Sequence, residues 1–347
     1  MKAALFYGPG DIRIEEIKKP IPGRSEVLVR VKSCAICGTD VRIFKSGHRA
    51  ITPPHITGHE ISGIVEEVGE NVKNIKKGDK VAITTEVGCG YCKYCLSGRV
   101  NLCNINRRAI GYYYPGGFAE YILIPGEAVL QGNIIKLRND ANLDEMSLVE
   151  PLACCINAQE LIDVKFGDTV LIIGAGPIGC MHIELSKLRG ASKVIIANYQ
   201  SKKRMELARR FNADNYFILN EIDIRKEISK ITKDEGIDIV IVACSSPEAQ
   251  KLALDLVGIR GKICYFGGLP KNAFLDNVDT NIIHYKEARL MGSFSSNRYH
   301  SHTAINLIEN KKILASKYIT HKFPLDNIVE GINIVMAGDA IKVVINP

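Results

Sequence analysis

Hydrophobic residues follow two different patterns along this chain. Up to about residue 150 they form short β-branched runs, such as 26–31, 62–68 and 80–83, separated by Gly and Pro. This pattern predicts a small, irregular β domain. From about 152 to 292, short apolar runs alternate with segments whose apolar residues recur at helical intervals. Strands that alternate with helices predict βαβ units around a parallel sheet, so the fold class is α/β.

The second pattern gives specific element positions. Pro177 and Pro247 stand where two of the intervening helices would begin, a place that tolerates proline. After about 292, the spacing predicts helices over 303–312 and 324–338 and a final strand over 341–347. The apolar runs that predict the strands of the sheet domain lie at 169–173, 193–197, 215–218, 236–244 and 261–267.

Length and composition narrow the class of protein. The chain has 347 residues, which at roughly 150 residues per domain predicts two domains. With 46% hydrophobic and 24% charged residues it is unlike disordered or collagen-like chains. The first twenty residues lack the apolar run of a signal peptide, and no stretch approaches the roughly 18 apolar residues of a membrane helix. We therefore expect a cytoplasmic protein without a membrane partner.

The charge balance favours a small ligand over nucleic acid. The net charge is +7, but the basic residues are scattered, and the chain has no Trp and only 7% aromatic residues for stacking on bases. We expect no nucleic-acid partner. Anionic small molecules fit the charge equally well.

Four of the eleven cysteines lie close together, at Cys89, Cys92, Cys95 and Cys103. Cytosolic thiols are kept reduced, so this spacing favours a metal over disulfides. Four thiolates suit a closed tetrahedral zinc site, which would be structural and would order a lobe over about 86–104. The alternatives are a redox pair or buried free cysteines, but a redox pair needs only two.

A second set of metal-binding side chains is dispersed. Cys37, His59, Glu60 and Glu150 could hold a zinc ion and leave a position for water or substrate, as a catalytic site requires. Residue types alone do not separate this hypothesis from ordinary core positions.

A glycine-rich segment predicts dinucleotide binding. Gly174, Gly176 and Gly179 follow an apolar run and open a helical pattern, with Pro177 and Ile178 between them. In this context the glycines allow a tight turn, and a pyrophosphate lies against the helix N-terminus. The alternative is a turn that serves only strand–helix packing.

The next strand favours NADP over NAD. An acidic residue about 20 residues beyond the glycines normally binds the ribose hydroxyls of NAD, but that place holds Asn198. Lys203 and Arg204 follow, so a 2'-phosphate would meet cations. The alternative is that Asn198 itself binds the ribose of NAD.

Six motifs taken in order resemble the zinc-dependent medium-chain dehydrogenases, most closely the sorbitol (polyol) and threonine dehydrogenase branch. They are CGTD at 37–40, GHE at 58–60, the four cysteines, GGFAEY at 116–121, VEP at 149–151 and GAGPIG at 174–179. The resemblance implies dimers or tetramers. It also implies a GroES-like catalytic domain formed by 1–151 and 293–347, with a Rossmann nucleotide-binding domain inserted over 152–292.

The resemblance also implies roles for the dispersed set. Cys37, His59 and a carboxylate hold the catalytic zinc, so each chain carries two zinc ions; Glu60 and Glu150 bind directly or through water. Thr39 relays the proton of the substrate. Many relatives continue the relay with a histidine where this chain has Arg42, which stays protonated and cannot act as a base. We therefore expect proton release through Glu150 or water.

The expected reaction is oxidation of a polyol to a ketose with NAD or NADP. The alternatives are L-threonine oxidation, a simple secondary alcohol, and a relative that binds nucleotide without turnover. A phosphorylated polyol is a further alternative, because basic residues surround Arg42. Arg298 and Tyr299 are candidates for binding substrate hydroxyl groups, against ordinary surface positions.

Overall fold

The computed structural model describes residues 1–199 and 201–347, which form two compact units. The first unit contains Met1–Ala153 and Ser295–Pro347, and the second contains Cys154–Phe294. Up to the start of the second unit the elements are β1 (Lys2–Gly8), β2 (Asp11–Glu16), β3 (Val27–Ala35), α1 (Gly38–Ser46), β4 (His55–Ile56), β5 (Glu60–Val68), β6 (Lys80–Ile83), β7 (Glu86–Val87), α2 (Lys93–Leu96), β8 (Arg108–Ala109), β9 (Tyr121–Ile124), α3 (Gly126–Leu130), β10 (Ile134–Lys136), α4 (Leu143–Met146) and α5 (Val149–Ile162).

The remaining elements follow in chain order. They are β11 (Thr169–Ile173), α6 (Pro177–Leu188), β12 (Lys193–Asn198), α7 (Lys202–Ala208), β13 (Asn215–Ile218), α8 (Ile224–Thr232), β14 (Ile237–Val242), α9 (Pro247–Leu256), β15 (Val257–Tyr265), α10 (Asn281–Lys286), β16 (Arg289–Gly292), α11 (Arg298–Glu309), β17 (Ile319–Pro324), α12 (Ile328–Ala337) and β18 (Lys342–Asn346).

The main sheet of the first unit joins the two ends of its chain. Its strands run in the order β10-β6-β5-β3-β18-β17, and β9 also pairs with β3. Smaller sheets are formed by β2-β1-β4 and by β7-β8. Inward-facing residues of β3, such as Val27, Val29 and Val31, lie in the core of this unit. Because β18 pairs with β3 next to β5, residues from the end of the chain lie beside residues near position 60.

The second unit is a parallel sheet with the strand order β13-β12-β11-β14-β15-β16. Strands β11 and β14 are almost entirely buried, which explains why they read as unbroken apolar runs. This order is that of a doubly wound nucleotide-binding sheet. The predicted α/β fold class, with a parallel-sheet domain beside a β-rich domain, is confirmed.

Helix boundaries follow local capping chemistry. Helices α6 and α9 begin at Pro177 and Pro247, as the sequence predicts. Helix α11 begins at Arg298, earlier than the predicted 303, because Asn297 and His300 cap it reciprocally: Asn297 Oδ1 accepts from the His300 amide and His300 Nδ1 accepts from the Asn297 amide, each at 3.1 Å. A 3₁₀ turn at Leu325–Asn327 precedes α12, so that helix starts later than predicted.

Within 1–199 and 201–347, no helix has both the length and the apolar character needed to cross a membrane.

Candidate functional site

The four cysteines of the lobe converge on one point. Their sulfur atoms all lie within 4.8 Å of one another. The Sγ atoms of Cys89 and Cys95 are 4.0 Å apart, and those of Cys92 and Cys103 are 3.9 Å apart. Sulfur atoms about 2.3 Å from a central zinc ion stand roughly 3.8 Å apart at the corners of a tetrahedron. The donor set and its spacing therefore fit a closed zinc site.

Backbone amides donate hydrogen bonds to sulfur atoms of the lobe and stabilise negative charge on them. The amide of Cys92 donates to the sulfur of Cys89 at 3.3 Å, and the amides of Cys89 and Asn106 donate to the sulfur of Cys103 at 3.4 and 3.5 Å. Burial opposes ionisation of Cys103, but the amide hydrogen bonds outweigh it and lower the pKa of that thiol to about 6. A thiolate is the form that binds zinc.

The base of the lobe is attached to the segment after α3. The side chain of Gln131 accepts a hydrogen bond from the Gly88 amide at 3.1 Å and donates to the Gly88 carbonyl oxygen at 2.7 Å. A Cβ atom at position 88 would lie 2.6 Å from the sulfur of Cys95, so only glycine fits there. Arg298 lies next to the same segment, with its Cδ atom 3.6 Å from a Cβ atom built on Gly132.

Arg298 lies near the cysteine lobe. Its Nη1 atom is buried and has no hydrogen-bond partner among the described residues. Burial lowers the pKa of Arg298, and the charge of Cys95 acts in the opposite direction. Tyr299, the other substrate candidate, is 65% exposed. A role in substrate binding stays a prediction for both residues.

Three of the four dispersed metal-binding side chains also lie close together. Ligand atoms of Cys37, His59 and Glu60 lie within 4.8 Å of one another; we call these three residues the catalytic cluster. Cys37 caps the start of α1, and Glu60 is the first residue of β5. One thiolate, one imidazole and one carboxylate are donors that zinc accepts, and three ligands leave a fourth position open. The residues therefore fit a catalytic zinc ion.

Asp40 contacts two residues of the catalytic cluster. Its Oδ2 atom accepts a hydrogen bond from the Cys37 amide at 2.8 Å, and its Oδ1 atom is 3.7 Å from His59 Nδ1. Both Asp40 and His59 are buried. Burial alone would lower the pKa of His59, but the negative charges of Asp40 and Cys37 raise it well above its usual value. At 3.7 Å the carboxyl group acts on the imidazole through its charge rather than through a hydrogen bond.

Glu60 is held by a lysine from the other end of the chain. Both carboxylate oxygens accept hydrogen bonds from Lys342 Nζ, which also donates to the carbonyl oxygen of Ile36 at 3.2 Å. The side chains of Lys342 and Glu60 are 2% and 0% exposed. The lysine neutralises a carboxylate that would otherwise be buried alone. Sequence reasoning missed Lys342, whose only local signal is a lysine that begins an apolar strand.

Glu150 lies near the cluster but is not one of the three clustered residues. It is the second residue of α5 and is partly buried. Its negative charge contributes to the raised pKa values of His59, Tyr112 and Lys342. It is therefore placed to act on the cluster electrostatically.

Tyr112 is a second residue that the sequence reasoning missed, although it stands in the aromatic run just before the GGFAEY motif. Its hydroxyl group lies 3.5 Å from His59 Nε2 and its ring 5.1 Å from the His59 ring. The Thr39 side chain is close enough to act on the pKa of Tyr112, which it lowers. Burial, reinforced by nearby negative charges, raises the pKa of Tyr112 well above its usual value, so its hydroxyl group stays protonated.

Basic groups surround His48, on the far side of Tyr112. The two rings are 5.3 Å apart. Burial lowers the pKa of His48, and the positive charges of Arg42, Arg49 and Arg107 lower it further. His48 Nδ1 accepts a hydrogen bond from the Ala50 amide at 3.2 Å. His48 is therefore held in its neutral form and is a poor proton acceptor.

The glycine-rich segment forms the turn between β11 and α6. Gly174 has φ +119°, and a Cβ atom at Gly179 would lie 1.9 Å from the carbonyl oxygen of Gly174. Gly176 is the N-cap of α6, with Pro177 and Ile178 in its first turn, and the space beside its Cα is open. Amides at the start of this helix can therefore receive a phosphate group.

Asn198 is the last residue of β12, and its side chain hydrogen-bonds to this turn. Its Oδ1 atom accepts a hydrogen bond from the Ala175 amide, and its Nδ2 atom donates to the Ser201 carbonyl oxygen, each at 3.4 Å. Ser201 caps α7, accepting from the amide of Arg204 at 3.1 Å, and Lys203 lies in the first turn of that helix. The neighbourhood of the turn thus carries cations and a neutral amide, as the sequence predicts for a 2'-phosphate.

Comparisons with known proteins identify the family of the chain. Residues 23–134 match the family model "Alcohol dehydrogenase GroES-like domain", and residues 177–310 match "Zinc-binding dehydrogenase". The chain is 30% identical to sorbitol dehydrogenase of Halalkalibacterium halodurans, over 98% of this chain and 97% of that protein. It is 34% identical to D-arabitol-phosphate dehydrogenase of Enterococcus avium, over 99% and 97%. A solved zinc-binding dehydrogenase from Sinorhizobium meliloti with bound NADP has a TM-score of 0.91 and 32% identity, over 100% of this chain and 99% of that one.

Proposed function

The chain belongs to the zinc-dependent medium-chain dehydrogenases, in the branch that includes sorbitol and threonine dehydrogenases, and from this premise we propose that it oxidises a secondary alcohol group of a polyol to give a ketose. The catalytic cluster is the observation that supports this most directly, because its three donors leave zinc a position for a substrate oxygen. Similarity to a sorbitol dehydrogenase along almost the whole chain supports a polyol substrate.

Cys37, His59 and Glu60 are the ligands in this proposal. When bound, zinc supplies Lewis-acid polarisation of the substrate oxygen, and the nicotinamide supplies the hydride acceptor. Glu60 is preferred over Glu150 as the direct carboxylate ligand, because its oxygen lies within 4.8 Å of the other two donors. Lys342 neutralises and orients that carboxylate, and Asp40 lies beside His59.

The proton of the substrate leaves through hydroxyl groups and then a carboxylate. Thr39 accepts it, and Tyr112, which lies next to Thr39, can pass a proton without ionising. Arg42 cannot accept a proton, and His48 is disfavoured by its hydrogen bond and its three arginine neighbours. Glu150, or a water molecule beside it, is then the final proton acceptor.

The Glu150 route is tested by the variant Glu150→Gln, with Glu145→Gln in the neighbouring helix α4 as the matched control. We expect Glu150→Gln to remove the acidic limb from the pH–rate profile, whereas the control keeps the profile of the wild type. An unchanged profile in Glu150→Gln would mean that the proton leaves by water alone.

We propose NADP as the preferred cofactor, bound at the Gly174–Gly179 turn with its 2'-phosphate near Lys203 and Arg204. The neutral amide at Asn198 supports this, because a carboxylate there would repel a phosphate. The variant Asn198→Asp should move the ratio of kcat/KM values for NADP and NAD at least tenfold toward NAD. A wild-type enzyme that clearly prefers NAD would refute the proposal.

The substrate is tested by following nicotinamide absorbance with sorbitol, xylitol, galactitol, galactitol 1-phosphate and L-threonine, each with NAD and with NADP. Activity on a free polyol supports the proposal, and activity confined to L-threonine refutes it. Metal analysis completes the test, because an active enzyme of this kind should hold about two zinc ions per chain and a non-catalytic relative only one. Assembly into dimers or tetramers and a cytoplasmic location stay predictions.

A phosphorylated polyol is the second candidate. The group of Arg42, Arg49 and Arg107 around His48 favours it, because guanidinium groups bind phosphate well. One relative is a D-arabitol-phosphate dehydrogenase. If this candidate is correct, galactitol 1-phosphate should be a far better substrate than galactitol, and Arg42→Ala should reduce that preference.

A further inference from the structure

A buried carboxylic acid that no predicted motif includes lies beside the catalytic cluster. Glu86 belongs to β7, and its side chain is 9% exposed. Its Oε2 atom is buried and accepts no hydrogen bond from the described part of the chain. An unpaired buried acceptor is costly, so such atoms in native proteins usually serve a ligand or a reaction.

The backbone around Glu86 is fixed to the segment that carries His59. The Asn133 side chain donates to the carbonyl oxygens of Thr84 and Glu86, at 3.1 and 2.8 Å. The Thr85 hydroxyl group donates to the carbonyl oxygen of His59 at 3.2 Å. Glu86 is also paired with Ala109 in the β7–β8 ladder. These contacts fix the backbone of Glu86 relative to the segment that carries His59.

The charged groups around Glu86 belong to the catalytic site. Arg107 Nε is 3.9 Å from Oε2, and the Ser295 side chain acts to lower the pKa of the carboxyl group. The pKa of Glu86 is raised to about 7, mainly by burial. Glu150 also raises it, whereas Arg107, Ser295 and His59 lower it. Glu86 is not among the three clustered donors, so its Oε2 atom, which accepts no hydrogen bond from the described residues, is available to a ligand other than the metal.

We propose that Oε2 of Glu86 accepts a hydrogen bond from the substrate hydroxyl group next to the reacting carbon, and that Glu86 thereby selects polyols over alcohols with a single hydroxyl group. The inference rests on the proposed function, because it assumes that the substrate oxygen binds at the catalytic cluster. A polyol carries a hydroxyl group on each neighbouring carbon, whereas a simple alcohol would leave Oε2 unpaired. A site built to bind a hydroxyl group rejects analogues that lack it.

The test compares the wild type with Glu86→Met, which removes the acceptor at similar volume, and with the milder variant Glu86→Gln. The substrates are sorbitol and 2-butanol. We expect Glu86→Met to lower kcat/KM for sorbitol at least thirtyfold and to change that for 2-butanol less than threefold, with an intermediate loss in Glu86→Gln. The dissociation constant of sorbitol in the presence of NADPH, from calorimetry, should rise at least tenfold in Glu86→Met. Zinc content and Tm should stay at the wild-type values.

The control is Glu127→Gln, which removes a carboxylate that pairs with Arg108 at 3.1 Å and should behave like the wild type. An equal loss for both substrates, or sorbitol kinetics and binding that do not change, would overturn the inference. Failure of the proposed function is visible separately, since the wild type itself would then oxidise 2-butanol but not sorbitol.

Discussion

The cysteine lobe and the catalytic cluster are both suited to zinc, but they are built in opposite ways. The lobe takes all four donors from residues 89–103, and its own backbone amides stabilise their charge. The catalytic cluster takes Cys37 and Glu60 from separate elements, and buried side chains elsewhere balance its charge. A closed site can be completed locally, whereas a site that keeps one position open needs support from the rest of the unit.

The difference also appears in what each region buries. The lobe buries sulfur atoms that a metal would neutralise and has little apolar core of its own, with Tyr91 and Leu96 exposed. The catalytic cluster lies on the main sheet of the first unit, where Lys342 and Glu60 form an ion pair almost without solvent. We therefore expect the lobe to depend on its metal for folding, and the catalytic cluster to depend on its charge partners.

Removing a ligand of the lobe should have the largest effect. Cys103→Ala should lower the zinc content from about two ions per chain to about one and make residues 86–104 sensitive to protease. Structural zinc contributes on the order of 10 kcal/mol to the folding of small domains. The measurement is metal analysis with limited proteolysis. Cys264→Ala, which removes a buried free thiol in β15, is the control and should keep both ions. Retention of both ions by Cys103→Ala would contradict the assignment of this site.

Breaking the ion pair behind the catalytic cluster should have the next largest effect. With zinc removed, Lys342→Met leaves the Glu60 carboxylate buried without a cation, and we expect a loss of about 3–5 kcal/mol in the free energy of unfolding. Denaturant unfolding measures it. Lys322→Met, which removes a half-exposed partner of Asp144, should cost less than about 1 kcal/mol.

The double variant Glu60→Gln/Lys342→Met sharpens this prediction. It removes both charges, so it should recover most of the lost stability. Because Glu60 is a proposed zinc ligand, the double variant should still bind the catalytic zinc ion weakly. If the double variant were no more stable than Lys342→Met, the lysine would act through packing rather than through charge.

Changing Arg298 should have the smallest effect, confined to the lobe. The guanidinium group lies near Cys95, so Arg298→Met should release zinc from the lobe severalfold faster, a difference of about 1 kcal/mol. The measurement is the rate of zinc transfer to a chromogenic chelator, with Arg138→Met as the exposed control. A loss of kcat/KM without faster zinc release would favour the substrate-binding role instead.

Local sequence spacing predicted the parts of the molecule that are built locally. The cysteines at two-residue gaps, the glycines between an apolar run and a helix, and the apolar runs of the parallel sheet all lie where short-range geometry places them. Spacing alone did not decide whether the residues of the catalytic cluster bind a metal. The resemblance to a family was needed to predict zinc there. Element starts near 300 and 328 were displaced because capping by Asn297 and a 3₁₀ turn are not visible in hydrophobic periodicity.

Sequence motifs were therefore enough to predict the fold class, the family, the cysteine lobe and the position of the cofactor turn, because each motif is made of residues near one another in the chain. Tertiary structure placed Lys342 on Glu60, Tyr112 on His59 and Glu86 near His59. The pairings of Val344 with Ala35 and of Ala35 with Glu60 bring β18 to β5 across β3. Such a register depends on the packing of the whole sheet, and no local pattern around position 342 encodes its partner.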